Sequence, residues 1–187
     1  MNALGLDEQH ALLRLVVERL ERCNVPYMVA GSVAANSYTA ARATNDIDIV
    51  IKIVEDDIDK LIAAFEGDFY INSRDAIQDS LKRYYPFNVI YLESVAKVDL
   101  VPLPPDQFAQ SEFGRRRLIT IENESYWYIS PEDYIISKLR VFAATRSERQ
   151  LSDLRNVLET QRNVLNLDYL RSWADRFDIR NELDALL

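Results

Sequence analysis

Apolar positions follow two rhythms along the chain. Residues 8–22 set Leu12, Leu13, Val16, Val17 and Leu20 on one helical stripe, closed by Asn24 and Pro26. Tyr27-Met28-Val29-Ala30 is a short apolar run stopped by Gly31 and reads as a buried strand. An Ala-rich helix is expected over Ser32–Tyr38, with Ser32 at or near its N-cap. The rhythm then switches to period two: Ile47, Ile49, Ile51 and Ile53 alternate without a break, the clearest strand signal in the sequence. Residues 55–65 suit a surface helix. Phe87–Leu92 and Val95–Val101 read as two strands, a hairpin about Glu93-Ser94, with Pro102, Pro104 and Pro105 ending the second. Arg115–Ile121 and Tyr126–Ile129 suit a further strand pair.

From Ser130 the helical period returns. Ser130-Pro131-Glu132-Asp133 has the form of a helix start: a capping Ser, Pro at the first position, acids in the first turn. Ile135, Ile136, Leu139, Phe142 and Ala143 give that helix an apolar face. Two more helices are expected, one on Leu151, Leu154, Val157 and Leu158, the other on Leu170, Trp173, Ala174 and Phe177. The expected architecture is an α/β (α+β) fold: a mixed sheet flanked by helices over residues 1–129, with a helical region over 130–187 packed on it.

Composition narrows the function classes. No apolar run approaches the length needed to cross a bilayer, and the first residues lack the basic and apolar flanks of a signal peptide. One cysteine, Cys23, and one histidine leave neither an internal disulfide nor a Cys/His metal cluster, which suits a reducing cytoplasm. A net charge of −8 argues against broad nucleic-acid binding, which needs many phosphate contacts, though not against a local basic groove.

Candidate chemistry lies in the acids. Asp46 and Asp48 stand two apart on the alternating strand, so both leave the face opposite the isoleucines, with Cα atoms about 6.6 Å apart. Taken alone, such a pair reads as a solvated acidic face. Two neighbours change that. Gly31-Ser32, between a strand and a helix, is a tight turn whose N–H groups and hydroxyl suit phosphate. Asp99 is a charge inside an otherwise apolar strand and needs a partner, either Lys97 or an arginine, or a metal shared with the other two acids. A hard divalent cation relieves the repulsion of such carboxylates, and Mg²⁺ favours one or two of them plus phosphate oxygens.

The ordered set Gly31-Ser32, Asp46-Ile47-Asp48 and Asp99 resembles the DNA polymerase β-type nucleotidyltransferase superfamily. The string Arg42-Ala-Thr44-Asn-Asp46-Ile-Asp48, with Lys138-Leu139, Arg146 and Asp153-Leu154 in the helical half, is similar more narrowly to AbiEii-type and related uncharacterised bacterial nucleotidyltransferases. The resemblance covers about residues 10–160. Gln150 stands where that group has an Asp, and the turn reads Ala-Gly-Ser rather than Gly-Gly-Ser.

The resemblance implies an Mg²⁺- (or Mn²⁺-) dependent transfer of a nucleoside monophosphate from an NTP to a hydroxyl on RNA, a protein or a small molecule. It implies Asp46, Asp48 and Asp99 as metal ligands and catalytic residues, and Gly31, Ser32, Arg42, Thr44 and Lys138 on the nucleotide. The residues themselves leave alternatives open. Arg42 suits phosphate binding or bracing of the loop, Thr44 holds that loop by hydrogen bonds, and Lys138 suits the triphosphate or a snorkelling position. Arg149 and Asp153 suit an i, i+4 ion pair. Arg115-Arg116-Arg117 reads as a solvated strand end, with a nucleic-acid contact as the alternative. The rival function within the same fold is a silent nucleotide-binding or toxin–antitoxin regulatory module with a cognate partner.

Overall fold

The computed structural model describes residues 5–40, 44, 46–121 and 123–187. Among these, seven strands make one mixed sheet: β1 (Tyr27–Ala30), β2 (Ile47–Ile51), β3 (Phe69–Ile71), β4 (Phe87–Tyr91), β5 (Ala96–Pro102), β6 (Arg117–Ile121) and β7 (Glu124–Tyr128). Their spatial order is β3-β4-β5-β2-β1-β7-β6. β2 runs parallel to β5 and β1 parallel to β7, while every other neighbouring pair is antiparallel.

The isoleucine alternation explains the centre of this sheet. Ile47, Ile49 and Ile51 are essentially inaccessible and pair in register with Val98, Leu100 and Pro102 of β5. Asp48 and Val50 therefore leave the other face, as period two requires. The helix α1 (Leu6–Arg22) buries the predicted stripe of Leu12, Leu13, Val16, Val17 and Leu20, and Asp7, Glu8, Arg19 and Arg22 at its ends suit the helix dipole. It stops at Asn24, whose φ of 54° is a left-handed conformation that Asn tolerates. α1 packs against α3 (Ile58–Phe65), and α3 against α4 (Arg74–Arg83).

α2 (Gly31–Ala35) is shorter than expected, and Ser32 lies inside its first turn, because Ala30 holds the N-cap position. Three short elements carry no clear apolar rhythm. β3 has three residues, α4 buries only Ile77, and α5 (Gln107–Gly114) is set by its cap, Asp106, which accepts from the N–H groups of Phe108 and Ala109.

The remaining chain forms α6 (Pro131–Thr145), α7 (Glu148–Gln161), α8 (Leu167–Arg176) and α9 (Arg180–Asp184). Ser130 caps α6 as its sequence predicts, accepting from the Asp133 N–H. α6 packs on α7 and α8 and reaches α2, and one cluster of buried apolar residues runs from Leu12 to Leu183. Among the described residues no helix is long and apolar enough to cross a membrane.

The arginine run is not a solvated strand end. Arg115 lies 3.2 Å from Asp133 and 3.5 Å from Glu132, with its guanidinium over the Tyr169 ring, and Arg117 lies 3.0 Å from Glu132. Glu132 and Asp133 are buried, so these arginines neutralise acids that would otherwise be stranded at the start of α6. Arg116 turns elsewhere and stacks on Phe113 and Trp127.

Candidate active site

Strand register gathers the polar residues into one transverse row. Asn88 of β4 pairs with Asp99 of β5, Asp99 with Asp48 of β2, and Asp48 with Ala30 of β1. Residues opposite one another in neighbouring strands share a face, so Asn88, Asp99 and Asp48 stand side by side on the face away from the isoleucines. Next to Ala30 the chain turns at Gly31 into α2.

Gly31 is a close approach. Its φ is +60°, and a Cβ built there would lie 2.0 Å from Asp48 Oδ2. Only glycine combines that conformation with that proximity. The turn thus presents its backbone to the Asp48 carboxylate, and Ser32 follows, nearly buried.

Asp48 is an uncomfortable anion. Burial raises its pKa above the usual carboxylate value, and the charges of Asp99 and Asp46 raise it further; Lys138 and Lys97 oppose the shift. Asp99 has direct partners. The Asn88 carboxamide donates to its Oδ1, and the Lys97 ammonium lies 3.0 Å from the same oxygen. Asp46 is exposed just before β2, and its N–H donates to Thr44 Oγ1 at 3.3 Å.

Among the described residues no group of three or more His, Cys, Asp or Glu is drawn together closely enough to hold a metal. The closely placed donors are the pair Asp48 and Asp99. That donor set suits a hard cation such as Mg²⁺, which takes one or two carboxylates and completes its shell with phosphate oxygens and water. Relief of the Asp48 charge by such a cation matches the direction of its pKa shift.

Lys138 enters from α6. Its ammonium lies 3.4 Å from Asp153 of α7, an ion pair across two helices, and above the Tyr134 ring. The positive charge of Lys138 is felt at Asp48. Thr44 is a brace: buried, it accepts from the Asp46 N–H, while its carbonyl accepts from Gln9 Nε2 at 2.6 Å. Arg42 lies outside the described residues. Asn88 has no sequence signal of its own, since only the β4–β5 register brings it to Asp99. Lys97 does have one, two residues from Asp99 on the same strand face.

No family model matches the chain, and no curated protein matches it. Solved structures do. An antigenic nucleotidyltransferase-like protein from Paracoccidioides brasiliensis superposes with a TM-score of 0.63 at 17% identity, over 99% of this chain and 94% of its own. The antibiotic-resistance factor ANT(2'')-Ia gives a TM-score of 0.63 at 15% identity, covering 95% of this chain and 94% of that one. The lincosamide antibiotic adenylyltransferase LnuA, in its lincomycin-bound structure, gives 0.54 at 16% identity, covering 83% and 98%. The chain has the nucleotidyltransferase fold.

Proposed function

We propose that the chain is an enzyme that transfers a nucleoside monophosphate from an NTP to a hydroxyl acceptor and releases pyrophosphate. One observation carries this reading. Asp48 and Asp99 stand side by side on one sheet face, with the Asp48 carboxylate packed against the Gly31 turn.

A divalent cation, Mg²⁺ or Mn²⁺, would be bound by Asp48 and Asp99 and would supply positive charge against the polyphosphate. Asp46, expected from the sequence as a third ligand, is not drawn in with them and adds only its nearby charge. Around it each side chain has a task. The bare backbone at Gly31 and the Ser32 hydroxyl take the β- and γ-phosphates. Lys138, close enough in charge to influence Asp48, faces the triphosphate from the helical side. Thr44 holds the segment that delivers Asp46, and Arg42 in the same segment is assigned to phosphate. Asp99 accepts the proton of the acceptor hydroxyl. That oxygen attacks the α-phosphorus in line as the bond to the pyrophosphate oxygen breaks.

The favoured acceptor is a small molecule. A net charge of −8 disfavours a polyanionic acceptor. Among structures of the same fold, ANT(2'')-Ia has been seen with adenylyl-2"-tobramycin and LnuA with lincomycin. The test is a transfer assay with the four α-labelled NTPs, with and without Mg²⁺, against hydroxyl-bearing small molecules, RNA and proteins. Label transferred only with Mg²⁺, and only by protein with Asp48 intact, supports the reading. Transfer to RNA or protein alone keeps the chemistry and overturns the acceptor class, and no transfer from any NTP to any acceptor overturns the whole.

A further inference from the structure

Asp99 is held from two directions by two unlike groups. From β4, the Asn88 carboxamide donates to Oδ1. From two residues back on β5, the Lys97 ammonium lies 3.0 Å from Oδ1 and 3.0 Å from Oδ2. Both oxygens of the carboxylate are therefore occupied before any ligand arrives.

The two partners differ in how firmly they are placed. Asn88 is half-buried on an inner strand between β3 and β5, and its backbone N–H donates to Asn72 Oδ1 at 2.8 Å. Its backbone is held in the sheet, and its short side chain reaches Asp99 from that fixed position. The Lys97 side chain is 45% exposed. An exposed ammonium on a four-carbon stem stays largely hydrated and leaves a carboxylate at little cost. Its charge also reaches Asp48, where it opposes the repulsion from Asp99.

We propose that Asn88 is a positioning residue for Asp99 and that Lys97 is its resident counter-ion, occupying the carboxylate that a divalent cation takes over. Asn88 holds one oxygen in place through the exchange. Lys97 keeps two adjacent acids from repelling one another in the metal-free protein and yields to a stronger cation. The inference rests on the reading that Asp48 and Asp99 are the divalent-cation pair. It makes two predictions of opposite sign for residues that touch the same carboxylate.

The experiment is Mn²⁺ titration of the metal-free protein, followed by the paramagnetic resonance signal of free Mn²⁺, with melting temperature recorded for every variant. Lys97→Met keeps the apolar stem and removes the charge. It is expected to bind Mn²⁺ about two- to fivefold more tightly and to melt slightly lower without metal. Lys97→Arg keeps the charge and should bind as the native protein does. So should Lys82→Met, which removes an equal charge from α4. Asn88→Ala should bind about 10- to 100-fold more weakly, and Asn88→Ser, the milder change should Asn88→Ala fail to fold, should also bind more weakly. Lys97→Met binding no tighter than the native protein overturns the counter-ion role. A folded Asn88 variant binding at native affinity overturns the positioning role. Asp99→Asn separates the two levels. If the native protein binds no Mn²⁺, or if binding survives Asp99→Asn, the cation-pair reading falls and this inference with it. If binding is lost in Asp99→Asn while Lys97→Met is no tighter, the cation pair stands and this inference alone fails.

Discussion

The carboxylate of Asp48 stands where a side chain at Gly31 would have to go. The Cβ position at Gly31 is 2.0 Å from Asp48 Oδ2, and the backbone there is left-handed at φ +60°. Gly31→Ala therefore meets two penalties, the conformational one of about 1–2 kcal/mol and the displacement of Asp48. The expected result is a lower melting temperature together with loss of Mg²⁺-dependent nucleotide binding by calorimetry. Unchanged stability and binding would mean that the turn and the carboxylate do not depend on each other.

Much of this arrangement is legible in the residues themselves. The unbroken alternation of Ile47, Ile49 and Ile51 assigns β2 and the face on which Asp48 lies. A lone charge among Val98, Leu100 and Val101 marks Asp99. What local pattern cannot carry is register. Asn88 becomes a partner of Asp99 only because β4 lies antiparallel to β5 at one particular offset, a long-range fact. α4 is harder to see for a different reason: its apolar stripe is short, with Ile77 buried and Leu81 only partly so. In sequence, Glu132 and Asp133 have the form of first-turn acids at a helix start. Their burial, and so the need for Arg115 and Arg117, follows only from how α6 is covered.

That buried network yields a second prediction. Arg115 bridges Asp133 and Glu132. Arg115→Met keeps much of the stem over Tyr169 but leaves the two acids with fewer partners. Stability in urea should fall by about 2–3 kcal/mol, while Mn²⁺ affinity at the Asp48–Asp99 pair stays unchanged. A midpoint shift within error would mean that Arg117 and Ser130 suffice.

Glu112 gives a pH-dependent prediction. Burial raises its pKa to about 7, with Asp133 and Asp106 raising it and Ser137 and Arg140 lowering it. Ser137 Oγ donates to Oε1 at 2.7 Å. A carboxyl whose folded pKa lies above its unfolded value binds more protons when folded, so its contribution to stability is present at low pH and lost as pH rises toward 7. Glu112→Gln removes that loss. The variant should match the native protein near pH 4 and exceed it by on the order of 2 kcal/mol at pH 8. Parallel melting curves for the two proteins from pH 4 to 8 would show that Glu112 titrates normally.

Asp48→Asn tests the site without disturbing its shape. The substitution is nearly isosteric and removes the anion that burial, Asp99 and Asp46 all disfavour. The metal-free variant should melt at the native temperature or higher. A large fall in melting temperature would give Asp48 a structural role.

The most direct measurement is calorimetric titration of each NTP into the native protein, Asp48→Asn and Asp99→Asn, with and without Mg²⁺. The account predicts binding of at least one NTP to the native protein that requires Mg²⁺ and disappears in both variants while their folds persist. Absence of Mg²⁺-dependent binding at millimolar NTP, or binding that survives in both variants, would contradict it.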